Sequence, residues 1–227
     1  MNSILFFNSS AAYRVRIALG LKGLDYRIVP VDLLKKGGGE QRDAAYLDRN
    51  PAGLVPVLVD DRHVLTQSLA IIEYLDEVYR TPPLLPPDPV GRARVRALAL
   101  SIAADIHPLN NLRVLRRLAH DLQIEKPARD DWYRHWVMVG FQALEAHLRS
   151  SDTGRCCHGD DPGLADCCLI PQVHNARRLQ VDMAAYPNIE RIAVYCGDLP
   201  AFRAAHPDVQ PDAHPQVKRQ DVRPGAG

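Results

Sequence analysis

The sequence lacks any imbalance of charge: 28 Lys and Arg stand against 27 Asp and Glu. A chain so balanced has no bulk field to recruit nucleic acid or an acidic membrane surface. It also lacks any apolar run approaching the roughly 20 residues that a bilayer-spanning helix needs. The N-terminus has no charged region leading into an apolar core and a small-residue cleavage site, so no secretory signal is expected. Missing too is any C-x-x-C spacing. Cys156, Cys157, Cys167, Cys168 and Cys196 fall into two adjacent pairs and a single thiol, which speaks against a zinc or redox site. They read as buried thiols used as small apolar residues in a cytoplasmic protein. No metal is expected.

What the chain does have begins with an apolar run, Ile4 to Phe7, followed by NSSAAYRVRIAL from Asn8 to Leu19. Ser9 and Ser10 stand where a short strand gives way to an apolar-periodic helix, and a serine there is a helix-start signal. The first turn of a helix carries unpaired N–H groups and the positive end of the macrodipole. Hydroxyls at that point suit a thiolate, an oxyanion or a carboxylate, and equally a plain N-cap. Lys22-Gly23-Leu24-Asp25 stops this helix. A second apolar run covers Tyr26 to Leu33, and a Gly37–Gly39 loop and a polar helical stretch follow, ending near Asn50. Val55 to Val59 and His63 to Leu65 read as strands around an Asp60-Asp61-Arg62 turn, and Gln67-Ser68 opens a helix over Leu69 to Tyr79. The order βαβ, αβ, βα suits a small mixed sheet with helices on its faces.

Thr81 to Pro89 carries five prolines in nine residues, which excludes a helix there and predicts a stiff connector. Beyond it the pattern is helical without a second sheet: Arg92 to Leu118 with a break at Pro108, Asp131 to Leu148, Leu164 to Leu179, Asn188 to Tyr195, and a short helix over Leu199 to Ala205. The expected organisation is an α/β domain over 1–82, a Pro-rich linker at 83–89, an all-helical domain over 90–206 and a poorly ordered tail over 207–227.

NSSAAYRVRIAL together with LTQSLAIIEYL (Leu65 to Leu75) resembles the zeta class of glutathione transferases, the maleylacetoacetate and maleylpyruvate isomerases. In the second half the resemblance extends through DIHPLNNLRVL (Asp105 to Leu115), GDDPGLADCCLIPQV (Gly159 to Val173) and NARRLQVDMAAYPNI (Asn175 to Ile189). Three motifs in the right order are far more specific than any one. The resemblance implies a thioredoxin-like glutathione-binding domain, an all-α substrate domain, glutathione as cofactor, a homodimer and a small dicarboxylic keto-acid substrate.

Residue by residue, the resemblance implies that Ser9 and Ser10 face the glutathione sulfur, with Ser10 the nearer. A free thiol of pKa ~8.5 must drop about two units to be mostly thiolate, which takes roughly 2.7 kcal/mol of differential stabilisation. One or two hydroxyl hydrogen bonds to the charged sulfur, at ~1.5–3 kcal/mol each, supply that. Val55, ahead of a cis Pro56, would pair its backbone with the cysteinyl unit like an added strand; the other reading is a trans proline at a strand start. Gln67 and Ser68, at a helix start, suit a free α-carboxylate, here the γ-glutamyl one, or act as an ordinary cap. Lys35, Lys36 or the glycine loop would meet the glycyl carboxylate. His107 and Asn111, four apart, would share a helix face near the pocket, with a structural role for the histidine equally open. Arg178 matches a family arginine that holds a substrate carboxylate and steadies a developing enolate; Arg177 points to solvent, and Asp166 is a structural cap residue.

Two departures bear on chemistry. Ala11 stands where many relatives carry Cys or Thr, so the nucleophile must be the bound thiol rather than the protein's own. Asn8 replaces an arginine of some relatives and brings a substrate-facing donor without charge. The implied reaction is cis–trans isomerisation of a maleyl-keto acid by reversible thiolate addition. The alternatives are a glutathione transferase or dehalogenase acting on small α-halo acids, and a non-catalytic glutathione-binding protein.

Overall fold

The computed structural model describes residues 1–5, 8–35 and 38–213. Two compact units divide the chain: one holds Met1–Tyr79 with the segment from Pro200 onward, the other Arg80–Leu199.

The first unit runs β1 (Asn2–Leu5), α1 (Ser10–Leu21), β2 (Arg27–Pro30), α2 (Ala44–Leu47), β3 (Val57–Asp60), β4 (His63–Thr66) and α3 (Ser68–Val78). The sheet order is β2-β1-β3-β4, with β1 parallel to β2 and the other pairs antiparallel. The parallel pair needs a crossover, and α1 provides it. α1 is buried along nearly its whole length, with Val15, Ile17 and Leu19 inaccessible to solvent, and Ile71, Ile72 and Leu75 of α3 equally so. Lys22, at the end of α1, ties the two helices together by donating to Asp76 at 2.6 Å and to the Tyr79 carbonyl at 2.7 Å. On the other side Val31, Tyr46 and Val57 form a second cluster with Val29, Leu33, Val55 and Val59.

This unit also holds α9 (Pro200–Ala205), a segment the sequence assigns to the helical domain. α9 packs on α1: Arg16 donates its Nε to the Ala205 carbonyl at 2.9 Å, and a Cβ on Gly20 would lie 3.2 Å from that of Ala201. The residues after it are better held than a poorly ordered tail. A short 3₁₀ turn covers Pro207–Val209, and buried Gln210 donates to the carbonyls of Ala204 and His206, both at 2.9 Å. The rest of the expected tail, 214–227, lies outside the described residues.

The second unit is helical: α4 (Pro89–Leu100), α5 (Leu112–Arg116), α6 (Lys126–His147), α7 (Leu164–Arg178) and α8 (Pro187–Gly197). Its core gathers Val95, Leu98, Val137, Phe141, Leu169 and Ile192. The Pro-rich stretch belongs to this core rather than spanning free, since Leu84 and Leu85 are buried and the Leu84 carbonyl accepts from Leu164 N at 2.9 Å. The predicted long helix over Arg92 to Leu118 is broken more than once. Regular α-helix ends at Leu100, a π-helical turn covers Ser101–Ile106, and a 3₁₀ turn covers Pro108–Asn110. Pro108 lacks an N–H, and Asn111 is extended so that its side chain caps α5.

Candidate functional site

Strand register brings three separated segments to one end of the sheet. Ile4 of β1 pairs with Val57 of β3, and Val57 pairs with Thr66 of β4. The chain leaving β1 toward Ser9, the chain entering β3 through Val55 and the chain leaving β4 into Gln67 therefore share that end.

At the first segment, Ser9 is the N-cap of α1, extended at φ −87°, ψ 119°, and its Oγ accepts from Ala12 N at 3.3 Å. The hydroxyl proton of a serine used this way remains available to donate. Ser10 is the first helical residue and is 8% exposed, whereas Ser9, Asn8 and Ala11 are half-buried. No acidic residue occupies the first turn, so nothing there competes with an anion for the helix start.

At the second segment the Val55–Pro56 peptide is cis, as the sequence reading expects. Val55 lies two residues before the pairing of β3 begins, so its backbone N–H and C=O stand outside the ladder. The turn ahead of it is fixed by the Leu54 carbonyl, which accepts from Tyr46 Oη at 2.5 Å and from Asn50 Nδ2 at 2.7 Å. A backbone edge held in place and not consumed by its own sheet suits strand-like addition of an extended peptide.

At the third segment Gln67 adopts φ 67°, ψ 117°, in the left-handed half of conformational space. A non-glycine residue held there is strained, and such residues concentrate at ligand sites. Its side chain is exposed and makes no cap bond to α3. Ser68, the first residue of α3, is buried, and its Oγ accepts from Arg14 Nη1 at 3.2 Å. Arg14 itself is 2% exposed. The sequence reading missed it, although an arginine one turn after Ser10 in an otherwise apolar helix face is the signal that marks it.

The remaining expected residues lie in the second unit. Arg178 ends α7 and is exposed, while its neighbour Arg177 is not simply solvated: it donates to Glu190 at 2.6 Å. His107 closes the π-helical turn with its N–H on the Ile102 carbonyl at 2.8 Å. Asn111 accepts from Arg113 N at 3.1 Å as the cap of α5. These two residues are therefore not on one continuous helix face, because Pro108 ends the first helix and Asn111 starts the next. Lys35 pairs with Glu40 at 3.2 Å, and Lys36 and Gly37 lie outside the described residues.

All five cysteines are free and buried. Cys156, Asp166 and Cys196 bring one ligand-capable atom each within 4.8 Å of one another. The two Asp166 oxygens, however, accept from Cys157 N and Gly163 N, both at 2.9 Å. The carboxylate thus closes the start of α7 and ties the loop before it, the structural role expected of it.

Residues 8–78 match the family described as glutathione S-transferase, N-terminal domain. The chain is 50% identical over 208 residues to a probable maleylacetoacetate isomerase of Vibrio cholerae, covering 92% of this chain and 96% of that protein. Among solved structures it is similar to a holo maleylpyruvate isomerase described as a bacterial zeta-class glutathione S-transferase, at TM-score 0.90 and 46% identity, covering 93% of this chain and 99% of that one. It is also similar to a maleylacetoacetate isomerase of Methylobacterium extorquens with bound malonate and glutathione, at TM-score 0.89 and 40% identity, covering 93% and 98% of the two chains. This chain belongs to the glutathione transferase family, in the zeta class.

Proposed function

We propose that this protein is a glutathione-dependent cis–trans isomerase that converts a maleyl-keto acid, maleylacetoacetate or maleylpyruvate, to its fumaryl isomer. The observation that carries the reading is the convergence of Ser9, Val55 and Gln67 at one end of the sheet through the register Ile4, Val57 and Thr66. A capped helix start, a backbone edge outside the ladder and a second helix start suit the three parts of glutathione: thiol, cysteinyl backbone and γ-glutamyl carboxylate.

Glutathione, when bound, supplies a thiolate that adds reversibly to the conjugated cis double bond, which rotates as a single bond before the thiolate leaves. The residues of this chain hold charge around that chemistry. Ser9 is the more accessible hydroxyl, its oxygen polarised by the Ala12 N–H, and donates to the sulfur; buried Ser10 supports it from the first turn. This reverses the weight that the sequence alone gives Ser10. Val55 holds the cysteinyl unit through its backbone. Gln67 and Ser68 hold the α-carboxylate at the start of α3. Arg178, exposed and without an ion pair among the described residues, offers a bidentate donor to a substrate carboxylate. Asn8 adds an uncharged donor, and Ala11 adds none.

The test follows the ultraviolet absorbance of maleylacetoacetate and of maleylpyruvate with purified protein, with and without glutathione, while free thiol is counted. Turnover that requires glutathione and leaves thiol constant supports the reading. Stoichiometric thiol loss, or no turnover of either acid, sinks it. Ser9→Ala is expected to lower kcat about 100-fold, the scale of removing one donor from a developing anion, and Ser10→Ala less. Sedimentation of the intact protein is expected to give a homodimer, and cell fractionation to place it in the cytoplasm. No described helix is long and apolar enough to cross a membrane.

A further inference from the structure

Cys156, in the loop before α7, Asp166, in the first turn of α7, and Cys196, near the end of α8, each bring one ligand-capable atom within 4.8 Å of the other two. Local spacing cannot show this, because the three come from separate segments, and Asp166 and Cys196 alone are 30 residues apart. Both cysteines are inaccessible to solvent and Asp166 is 1% exposed. The Cys196 sulfur donates to Asp166 Oδ1 at 4.0 Å, and the Cys156 sulfur to the Asp160 carbonyl at 3.5 Å. Thiols are weak donors, so these contacts bind the group only loosely. Asp166 is held more firmly, by Cys157 N and Gly163 N, both at 2.9 Å. A carboxylate has about four lone-pair sites. Two N–H bonds therefore orient it and still leave lone pairs for another partner, as outer-shell donors do for a carboxylate that binds a metal.

Geometry and charge both suit a divalent ion that favours sulfur. Zinc bonds of about 2.3 Å to sulfur and about 2.0–2.2 Å to oxygen put tetrahedral ligands roughly 3.6–3.8 Å apart, so three atoms already within 4.8 Å close on an ion by about an ångström of movement. An entering divalent ion forms two metal–sulfur bonds and displaces two thiol protons to solvent. Two positive charges come in and two go out, so the buried group carries one negative charge before and after, and no uncompensated charge is buried. A monovalent ion breaks that balance, and hard cations such as magnesium or calcium take oxygen ligands rather than sulfur. The Asp160 carbonyl, beside the Cys156 sulfur, is a neutral fourth ligand.

We propose that Cys156, Cys196 and Asp166 form a site for one zinc-like divalent ion, closed by the Asp160 carbonyl. The ion ties the loop before α7 to the start of α7 and the end of α8. Four protein ligands leave no open position, so its role is structural rather than catalytic. All four residues belong to the second unit, and the site stands independently of the glutathione reading.

The experiment titrates the intact protein with Cd²⁺ after treatment with a chelator and a phosphine reductant, in the absence of glutathione, and follows the ultraviolet absorbance of cadmium–thiolate bonds. A parallel sample is refolded from denaturant with Cd²⁺ present, so that slow entry to a buried site does not hide it. One ion is expected per chain, with two protons released and a raised unfolding midpoint. Cys156→Ser and Cys196→Ser keep a side chain of similar size and are each expected to weaken binding about 100-fold or more. Cys167→Ala, a buried cysteine outside the group, is expected to change it less than about threefold. Absorbance that rises in neither sample overturns the proposal. Binding that survives both serine variants overturns it as well, because the ion then sits elsewhere. X-ray absorption of the wild type loaded with Zn²⁺ counts the ligands without any variant, should the serine variants fail to fold. Two sulfurs with oxygen neighbours are expected, and a shell without sulfur refutes the site.

Discussion

Tyr46 shows how a single residue links the stability of this protein to pH. Its hydroxyl donates to the Leu54 carbonyl at 2.5 Å, directly before Val55, and burial pushes its pKa up to about 12, against a smaller lowering by Asn50. The folded protein thus keeps a proton that the unfolded chain releases near pH 10. Stability from this group is fully present below about pH 10 and is lost as pH rises toward 12. On α1, Tyr13 is also raised to about 12, mainly by burial. Tyr13 adds a loss of the same sign over the same range, which the Tyr46 variant leaves in place. Tyr46→Phe is therefore expected to flatten the alkaline loss by about 1.4 kcal/mol per pH unit. The check is urea unfolding of both proteins at several pH values from 9 to 12. Parallel curves would show that Tyr46 does not carry the effect. At neutral pH the same variant is expected to lose about 1 kcal/mol, because Asn50 still serves the Leu54 carbonyl.

Among the elements, the start of α7 shows what a sequence pattern can and cannot say. Gly163 is the N-cap of α7, where by cap preference alone Ser would be an improvement of about a few tenths of a kcal/mol. The structure gives the reason for glycine. A Cβ on Gly163 would lie 2.6 Å from the Leu84 carbonyl oxygen. That oxygen is backbone and is already engaged by Leu164 N at 2.9 Å, so it cannot step aside cheaply. Gly163→Ser is accordingly expected to destabilise the protein by about 1–3 kcal/mol, the scale of overpacking. Thermal unfolding of the variant decides it, and a raised midpoint would refute the steric account. The same limit governs what was legible elsewhere. Period and cap signals locate α1, α3, α7 and α8 within a residue or two, and they mark Ser9, Gln67 and Ser68 as helix starts. They do not see a carbonyl brought in from 79 residues away, as at Gly163. Nor do they see the Arg14–Ser68 bond, which depends on α1 lying against α3. Spacing puts His107 and Asn111 on one face because it counts residues, whereas Pro108 and the Asn111 cap reset the helix between them.

At the scale of the whole molecule, the chain returns to the unit where it began, and this changes which mutations reach the stability of that unit. α9 follows the helical unit in sequence but packs on α1, where Phe202 and Ala205 are buried and Arg16 binds the Ala205 carbonyl. α1 in turn carries Ser9, Ser10 and Arg14. A cavity under α9 should therefore loosen the first unit although the residue lies beyond the second. Phe202→Ala is expected to cost about 3–5 kcal/mol, since a fully buried phenylalanine is truncated in packed surroundings. The loss should be local: amide hydrogen exchange is expected to rise in α1 and in β3, while the amides of α6 and α7 keep their protection. Glutathione affinity, read by calorimetry below the unfolding temperature, should change little, because Phe202 lies outside the Ser9, Val55 and Gln67 segments. An equal rise of exchange through α6 would mean that the two units open as one. Protection unchanged in α1 would mean that α9 is not what holds that helix.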